Sequence, residues 1–251
     1  MHPECTPILF CPLNYPFPYN QIIQETEERN KERVKRRTGC LENCSLLPKY
    51  DKITDNYGNM NDDPAVGMNP GRWRRLKLYL AKPDLTFFEQ YNEMMAEWCD
   101  SGTQIAPWFL DAPLGSLEEF ARLVRMLDNC EHGRTDPRYA ATTSYFVTDE
   151  SGRLVGAASL RHYLTVEGFN TWGHIGYGVR PSERRKGYAV QILKLMLEQA
   201  KALKIPRALI GVHEGNTGSW KTVEKCGGTL ENTVLAEGDP EPIRRYWIDL
   251  R

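Results

Sequence analysis

From Arg74 onward the chain switches between two rhythms of apolar positions, and before it neither is sustained. Leu76-Lys77-Leu78-Tyr79-Leu80 alternates and predicts a first strand. Phe87 to Trp98 is amphipathic at helical spacing, and Ser116-Leu117-Glu118-Glu119 is a capping-box-like start to a second helix ending near Leu127. Thr143 to Thr148 predicts a strand, Asp149-Glu150-Ser151-Gly152 a hairpin turn, and Leu154 to Tyr163 a longer strand. A loop from Thr165 to Asn170 then leads into a strand from Trp172 to Val179. After a basic turn, Ile192, Leu193, Leu195, Met196, Leu197, Ala200 and Leu203 keep a period near 3.6, the mark of a helix with one face in a core. Ala208 to Val212 reads as the next strand, Gly218 to Lys225 as a helix, and Thr229 to Leu235 with Ile243 to Leu250 as a closing hairpin. A meander of strands with helices on both faces is an α+β domain.

The first 73 residues have a different character. They hold half of the sixteen prolines and predict a Pro-rich, largely irregular N-terminal extension. Gln21 to Arg37 is the exception. Acidic residues come early in it and basic ones late, with Glu27–Lys31 and Glu32–Arg36 at i,i+4 spacing, so it reads as a solvated helix. The domain division expected is therefore 1–73 and 74–251.

Composition narrows the chemistry. A net charge of −1 gives no electrostatic pull toward nucleic acid. No run of about twenty apolar residues predicts a transmembrane helix. The start lacks a basic region ahead of an apolar one, so no signal peptide is expected. Seven cysteines, an odd number without a compact framework, suit a reduced cytoplasmic protein. Cys40 and Cys44, with Cys5 and Cys11, lack a suitably spaced histidine, and no metal site is expected.

The candidate chemistry lies between Val179 and Gly228. A Gly-containing turn that opens a helix exposes free backbone amides at the positive end of the helix dipole. With Arg184, Arg185 and Lys186 beside it, the turn at Gly187 is a candidate phosphate cradle. Arg184-x-x-Gly187-x-Ala189 after a strand resembles motif A of the GNAT acyl-CoA N-acyltransferase superfamily. Asn216-x-x-Ser219, followed by Glu224-Lys225-Cys226-Gly227-Gly228, is similar to the family's second motif, at a distance that fits one helix and one strand. The resemblance covers about residues 74 to 251. It implies a mixed, mostly antiparallel central sheet flanked by helices on both faces. It also implies acetyl-CoA as co-substrate, its pantetheine arm admitted where the strands holding Val179 and Gly211 splay apart.

Cofactor-binding residues implied by the resemblance are Tyr177, Gly178, Val179, Arg184, Arg185, Lys186, Gly187, Tyr188, Ala189, Asn216 and Ser219. An amine must lose a proton to attack a thioester, the tetrahedral oxyanion needs a donor, and the departing thiolate needs a proton. For the base, His174 stands on the strand where family members often carry Glu, with packing against a neighbouring strand as the competing reading. His213 and Glu214 end the next strand, and Glu214 is the second catalytic candidate. The family's acidic Tyr is replaced by Val223, which leaves the Ser219 hydroxyl as candidate acid. Trp108, on a loop of exposed-looking aromatics, and His162 and Glu167, flanking the meander loop, are candidates for binding the acceptor. No cysteine falls at a cleft-facing motif position, which argues for direct transfer in a ternary complex rather than a cysteine intermediate.

The expected activity is N-acetyl transfer to a small-molecule or peptide amine, with no nucleic-acid or membrane partner and a homodimer allowed. The alternative is a non-catalytic acyl-CoA sensor.

Overall fold

The computed structural model describes residues 77–251 other than 112, 237, 238 and 240. The helix expected from Gln21 to Arg37 and the cysteines at 5, 11, 40 and 44 lie outside these residues. The α+β architecture is as expected, and its sheet comes in two parts. Strands β1 (Tyr79–Ala81), β2 (Thr142–Thr148), β3 (Leu154–Arg161) and β4 (Ile175–Val179) form one antiparallel sheet in that order. Strands β5 (Arg207–His213), β6 (Thr229–Val234) and β7 (Ile243–Asp249) form a second, in the order β5-β7-β6. Among the described residues a single isolated bridge, Gly173 with Ile210, joins them. The hairpin of β6 and β7 is present, but β7 sits inside the sheet against β5, with Ile210 facing Tyr246.

Alternation along the strands sorts side chains to two cores. Val147, Ala158, Leu160 and Ile175 pack with the buried stripe of α4 (Tyr188–Ala202), which consists of Tyr188, Ile192, Leu193, Met196, Leu197 and Ala200. Phe146, Leu154 and Ala157 face the other way, toward α1 (Phe88–Ser101) and α2 (Leu117–Glu131). On α1 the buried positions are Tyr91, Met94, Met95 and Trp98, a stripe at i, i+3, i+4 and i+7. Helix α1 ends at Gly102, whose φ of 60° is the left-handed conformation of a helix stop. Helix α2 starts as the capping pattern predicts: Ser116 Oγ accepts the Glu119 amide, and Glu119 Oε2 accepts the Gly115 amide at 2.8 Å.

Three expectations are corrected. The segment from Thr165 to Asn170 is not a loop but a short helix, α3 (Val166–Asn170), because Thr165 accepts the Gly168 amide and caps it. Strand β4 begins at Ile175, not Trp172, because Gly173 turns the backbone at φ 69°. The residues ahead of β4 bond to β5 instead: Gly211 N–H to the Trp172 carbonyl at 3.1 Å and His174 N–H to the Leu209 carbonyl at 2.7 Å. The aromatics after Gly102 are not exposed: Phe109 is fully buried and Trp108 half-buried, edge-on to each other at 6.0 Å. Among the described residues no helix is long and apolar enough to cross a membrane, and no group of three potential metal ligands occurs.

Candidate active site

The gap where β4 leaves β5 is the centre of the site. Among the described residues, strand β4 pairs with β3 alone and β5 with β7 alone. Arg180 N–H bonds inward to the Val155 carbonyl, and the His174 carbonyl accepts inward from Arg161. Even-numbered backbone groups of β4 therefore serve β3, and alternation turns the amides of Tyr177 and Val179 toward the gap.

At the end of β4 the chain makes one 3₁₀ turn, Pro181–Glu183, and then opens α4 through Gly187 at φ 79°. No side chain caps α4, and its first helical bond runs from Gln191 N–H to the Gly187 carbonyl. The amides of Tyr188, Ala189 and Val190 thus precede the helical ladder. The three cations of this turn do different things. Arg184 folds inward: its Nε bonds the Val179 carbonyl at 3.2 Å, an Nη bonds Thr103 Oγ1 at 2.9 Å, and its guanidinium lies over the Trp98 ring. Lys186 is paired with Glu183 at 2.7 Å, and Arg185 is exposed at φ 63°.

A fourth cation, to which no sequence motif assigns a role, anchors the turn from below. Arg180 is 3% exposed, and its Nε donates to Glu97 Oε1 at 2.8 Å while Nη1 donates to the Leu154 carbonyl at 3.2 Å. Glu97 Oε2 also accepts the Ser182 amide at 3.3 Å, so α1 is clamped to the turn. Burial alone raises the Glu97 pKa, but the hydrogen bonds from Arg180 and Ser182 outweigh it and hold the carboxyl below its usual value.

Across the gap stands α5 (Thr217–Lys225), with Asn216 Oδ1 accepting the Ser219 amide at 3.1 Å as its cap. The Tyr177 hydroxyl reaches over from β4 and lies 3.0 Å from Ser219 Oγ. Burial pushes the Tyr177 phenol up to about 12, so it stays protonated at neutral pH. Val223, where the family's acidic Tyr would stand, is fully buried in the α4 core.

The loop between α1 and α2 lies directly on β4. A Cβ on Gly178 would stand 2.0 Å from the Ala106 carbonyl oxygen, and one on Gly176 would stand 3.4 Å from Pro107 Cβ. Trp98 Nε1 holds the Gln104 carbonyl at 3.2 Å, which directs this loop toward the end of β5. There the His213 ring lies 2.9 Å from Asp239 Oδ1, 3.3 Å from Gln104 Oε1 and edge-on to Trp172 at 4.8 Å.

The other expected site residues are dispersed. His174 is buried, and its Nδ1 accepts the Leu209 amide at 3.0 Å, so the ring proton sits on Nε2 and Nδ1 is committed. Desolvation, with Arg161 nearby, pulls its pKa down to about 4. This corrects the base assignment: His174 ties β4 to β5 and has no free lone pair for an amine. Glu214 is exposed and paired with Arg244 at 3.2 Å. His162 bonds Thr143 Oγ1 at 2.8 Å, and Glu167 is exposed on α3, its carbonyl accepting from Thr171. Neither hydrogen bond reaches the gap.

The His174 shift carries a stability prediction. Its folded pKa is depressed, so the unfolded chain binds the proton first, near pH 6.5. Stability should be lost as pH falls from there to about 4, at up to roughly 1.4 kcal/mol per pH unit. Urea titrations of wild type and His174→Gln across this window test it; parallel curves would exclude His174 as the source.

Comparison with known proteins agrees with this geometry. The family profile described as an acetyltransferase (GNAT) domain matches residues 78–229, more than half of the chain. An L-methionine sulfoximine/L-methionine sulfone acetyltransferase of Pseudomonas aeruginosa is 28% identical over 106 residues, 41% of this chain. That match spans 58% of the relative's length. The microcin C7 self-immunity acetyltransferase MccE, solved with acetyl-CoA and AMP, superimposes with a TM-score of 0.51 at 18% identity, over 69% of this chain and 92% of that one. RimL, a ribosomal L7/L12 alpha-N-protein acetyltransferase solved with coenzyme A, has a TM-score of 0.51 at 20% identity, over 68% and 93% of the two chains. With a glycine turn opening α4, a gap between β4 and β5, and a family profile that spans both, this chain belongs to the GNAT acetyltransferase family.

Proposed function

We propose that the chain transfers the acetyl group of acetyl-CoA to a primary amine by direct attack within a ternary complex. The observation that carries this reading is the uncapped, glycine-opened start of α4, set beside a strand whose outward amides have no partner strand. The diphosphate would rest on the amides of Tyr188, Ala189 and Val190, with Arg185 at the rim. The pantetheine arm would run along Tyr177, Gly178 and Val179 and meet Asn216. The Tyr177 amide then faces the thioester as an oxyanion donor.

Ser219 serves as the acid for the departing sulfur, and the Tyr177 hydroxyl positions it. That pairing supplies at the gap the phenol that Val223 lacks, which favours an enzyme over a passive acyl-CoA sensor. The domain extends past the profile match to residue 251, because β7 lies between β5 and β6 and could not be removed without opening the second sheet. The acceptors of the relatives differ, from methionine sulfone to a protein N-terminus, and the fold does not select among them.

The experiment is coenzyme A release with a panel of amines, alongside acetyl-CoA binding by calorimetry. Binding without release from any amine would leave the sensor. Ser219→Ala should lower kcat about 100-fold with KM for acetyl-CoA nearly unchanged, in the range of a lost general acid. Tyr177→Phe keeps the packed ring and should cost about tenfold. The double variant should be no slower than Ser219→Ala, because the two hydroxyls act as one unit. Additive losses would separate them.

A further inference from the structure

Resting on the acetyltransferase reading above, we propose that His213 is the catalytic residue that takes the acceptor amine's proton and that Asp239 positions it. Four separate segments meet at this ring. The end of β5 supplies His213, the connection between β6 and β7 supplies Asp239, the α1–α2 loop supplies Gln104, and the residues ahead of β4 supply Trp172. Ala208, Ile210 and Val212 point into the core under α4. Alternation sends Leu209, Gly211 and His213 to the opposite face, where Gly211 lies against Thr171 and Trp172 and His213 meets Gln104 of the α1–α2 loop. Gly176 and Gly178 of β4 face that same loop.

The partners of the ring suit a group that gains and loses a proton. Asp239 Oδ1 lies 2.9 Å from Nε2 and fixes the ring proton there. The Asp239 side chain is 1% exposed, and its Oδ2 has no hydrogen-bond partner among the described residues. A carboxylate at this depth is costly without compensation, and a positive charge arriving on the imidazole offsets that cost. The second ring nitrogen, Nδ1, faces the side-chain amide of Gln104 at 3.3 Å and Glu241 Oε1 at 3.7 Å. It is the amide oxygen that faces Nδ1, so no donor occupies the lone pair of a neutral ring, and the same oxygen accepts from Nδ1–H once the proton has arrived. The Trp172 contact at an interplanar angle of 84° fixes the ring plane. The remaining charge beside it, Glu214, is held away by Arg244.

In the step itself an N–H bond of the acceptor ammonium breaks, and an N–H bond forms at His213 Nδ1, directly or through one water. The imidazolium charge is balanced by Asp239. The lone pair left on the amine attacks the thioester carbon and forms a tetrahedral oxyanion. As this collapses, the electrons of the C–S bond leave with sulfur, which takes the Ser219 hydroxyl proton; the nitrogen's second proton, shed as the amide forms, restores that hydroxyl, and the imidazolium releases its own proton to solvent.

The test uses the full chain, acetyl-CoA, and whichever of spermidine, L-methionine sulfone or an unblocked seryl peptide gives coenzyme A release with the wild type. His213→Ala should lower kcat about 100-fold, the loss of a general base, with KM for acetyl-CoA within about twofold. Added imidazole should restore about tenfold of that loss, a response that a merely structural histidine would not show. His213→Gln, which keeps a polar side chain in the space, should show the same kcat loss if the alanine variant folds poorly. Asp239→Asn should lower kcat about tenfold and gain nothing from imidazole, because the ring is present but no longer held in one tautomer. A His213→Gln enzyme within threefold of wild type, or a His213→Ala loss that imidazole leaves untouched, overturns the proposal while the acetyltransferase reading stands. A wild type that binds acetyl-CoA and releases nothing with any amine overturns both.

Discussion

Gly187→Val is expected to abolish measurable acetyl-CoA binding while leaving a folded protein. The backbone at 187 has φ 79°, and a Cβ there would meet nothing within 4 Å. The penalty is therefore conformational, not steric. A β-branched residue held in the left-handed region costs on the order of 1–2 kcal/mol, and it escapes that cost by rotating out of it. Rotation redirects the amides of Tyr188, Ala189 and Val190, the groups proposed to hold the diphosphate. The new side chain also stands on the open side from which a phosphate must approach. Calorimetry should show affinity reduced more than 100-fold, since several charge-assisted hydrogen bonds of about 1.5–3 kcal/mol each go together. The unfolding midpoint should fall by only about 2–8 °C. Intact affinity in this variant would count against the phosphate turn and the function built on it.

Arg180→Ala is expected to be the most destabilising single change around the site. Arg180 lies in a run of basic residues, yet it is nearly inaccessible and bonded to Glu97 and the Leu154 carbonyl. Removing one partner of a buried ion pair costs about 3–5 kcal/mol. The lower end applies here, because the Glu97 side chain keeps 29% exposure and can recover some hydration. About 3 kcal/mol corresponds to a midpoint loss of roughly 6–12 °C for a domain of this size. The clamp between α1 and the turn would loosen as well, so KM for acetyl-CoA should rise together with the stability loss. Arg180→Lys should recover only part of either, since an ammonium cannot reproduce the guanidinium fork. Calorimetric midpoints for the two variants decide the matter; a loss under about 3 °C for the alanine variant would mean that the clamp is incidental.

The elements most readable in advance were those with a local cause. The apolar stripe from Ile192 to Ala200 and the glycine at 187 each carry their reason within a few residues. The same is true of the Ser116 cap. Trp172 looks like strand in sequence because nothing local shows that Gly173 turns the chain and hands those residues to β5. The short helix at Val166 has too few apolar positions to show a period, and only the Thr165 cap marks it in sequence. Of the two histidines, His174 is the more attractive in sequence because it stands on the expected central strand, where family members often carry Glu. The Leu209 amide commits its ring, and no pattern along the chain reveals that contact.

What the sequence determined alone is the α+β class, the order of its strands and longer helices and the glycine turn that opens α4, because periodicity and a left-handed glycine are properties of neighbouring residues. The tertiary structure decided which charged and basic groups are free to act. Arg180 became a strut, His174 a tie between strands and His213 a ring held by Asp239, and each outcome depends on residues far away in the chain. Burial and hydrogen-bond partners set what an ionisable side chain can do, and in this protein those partners come from segments that only the fold brings together.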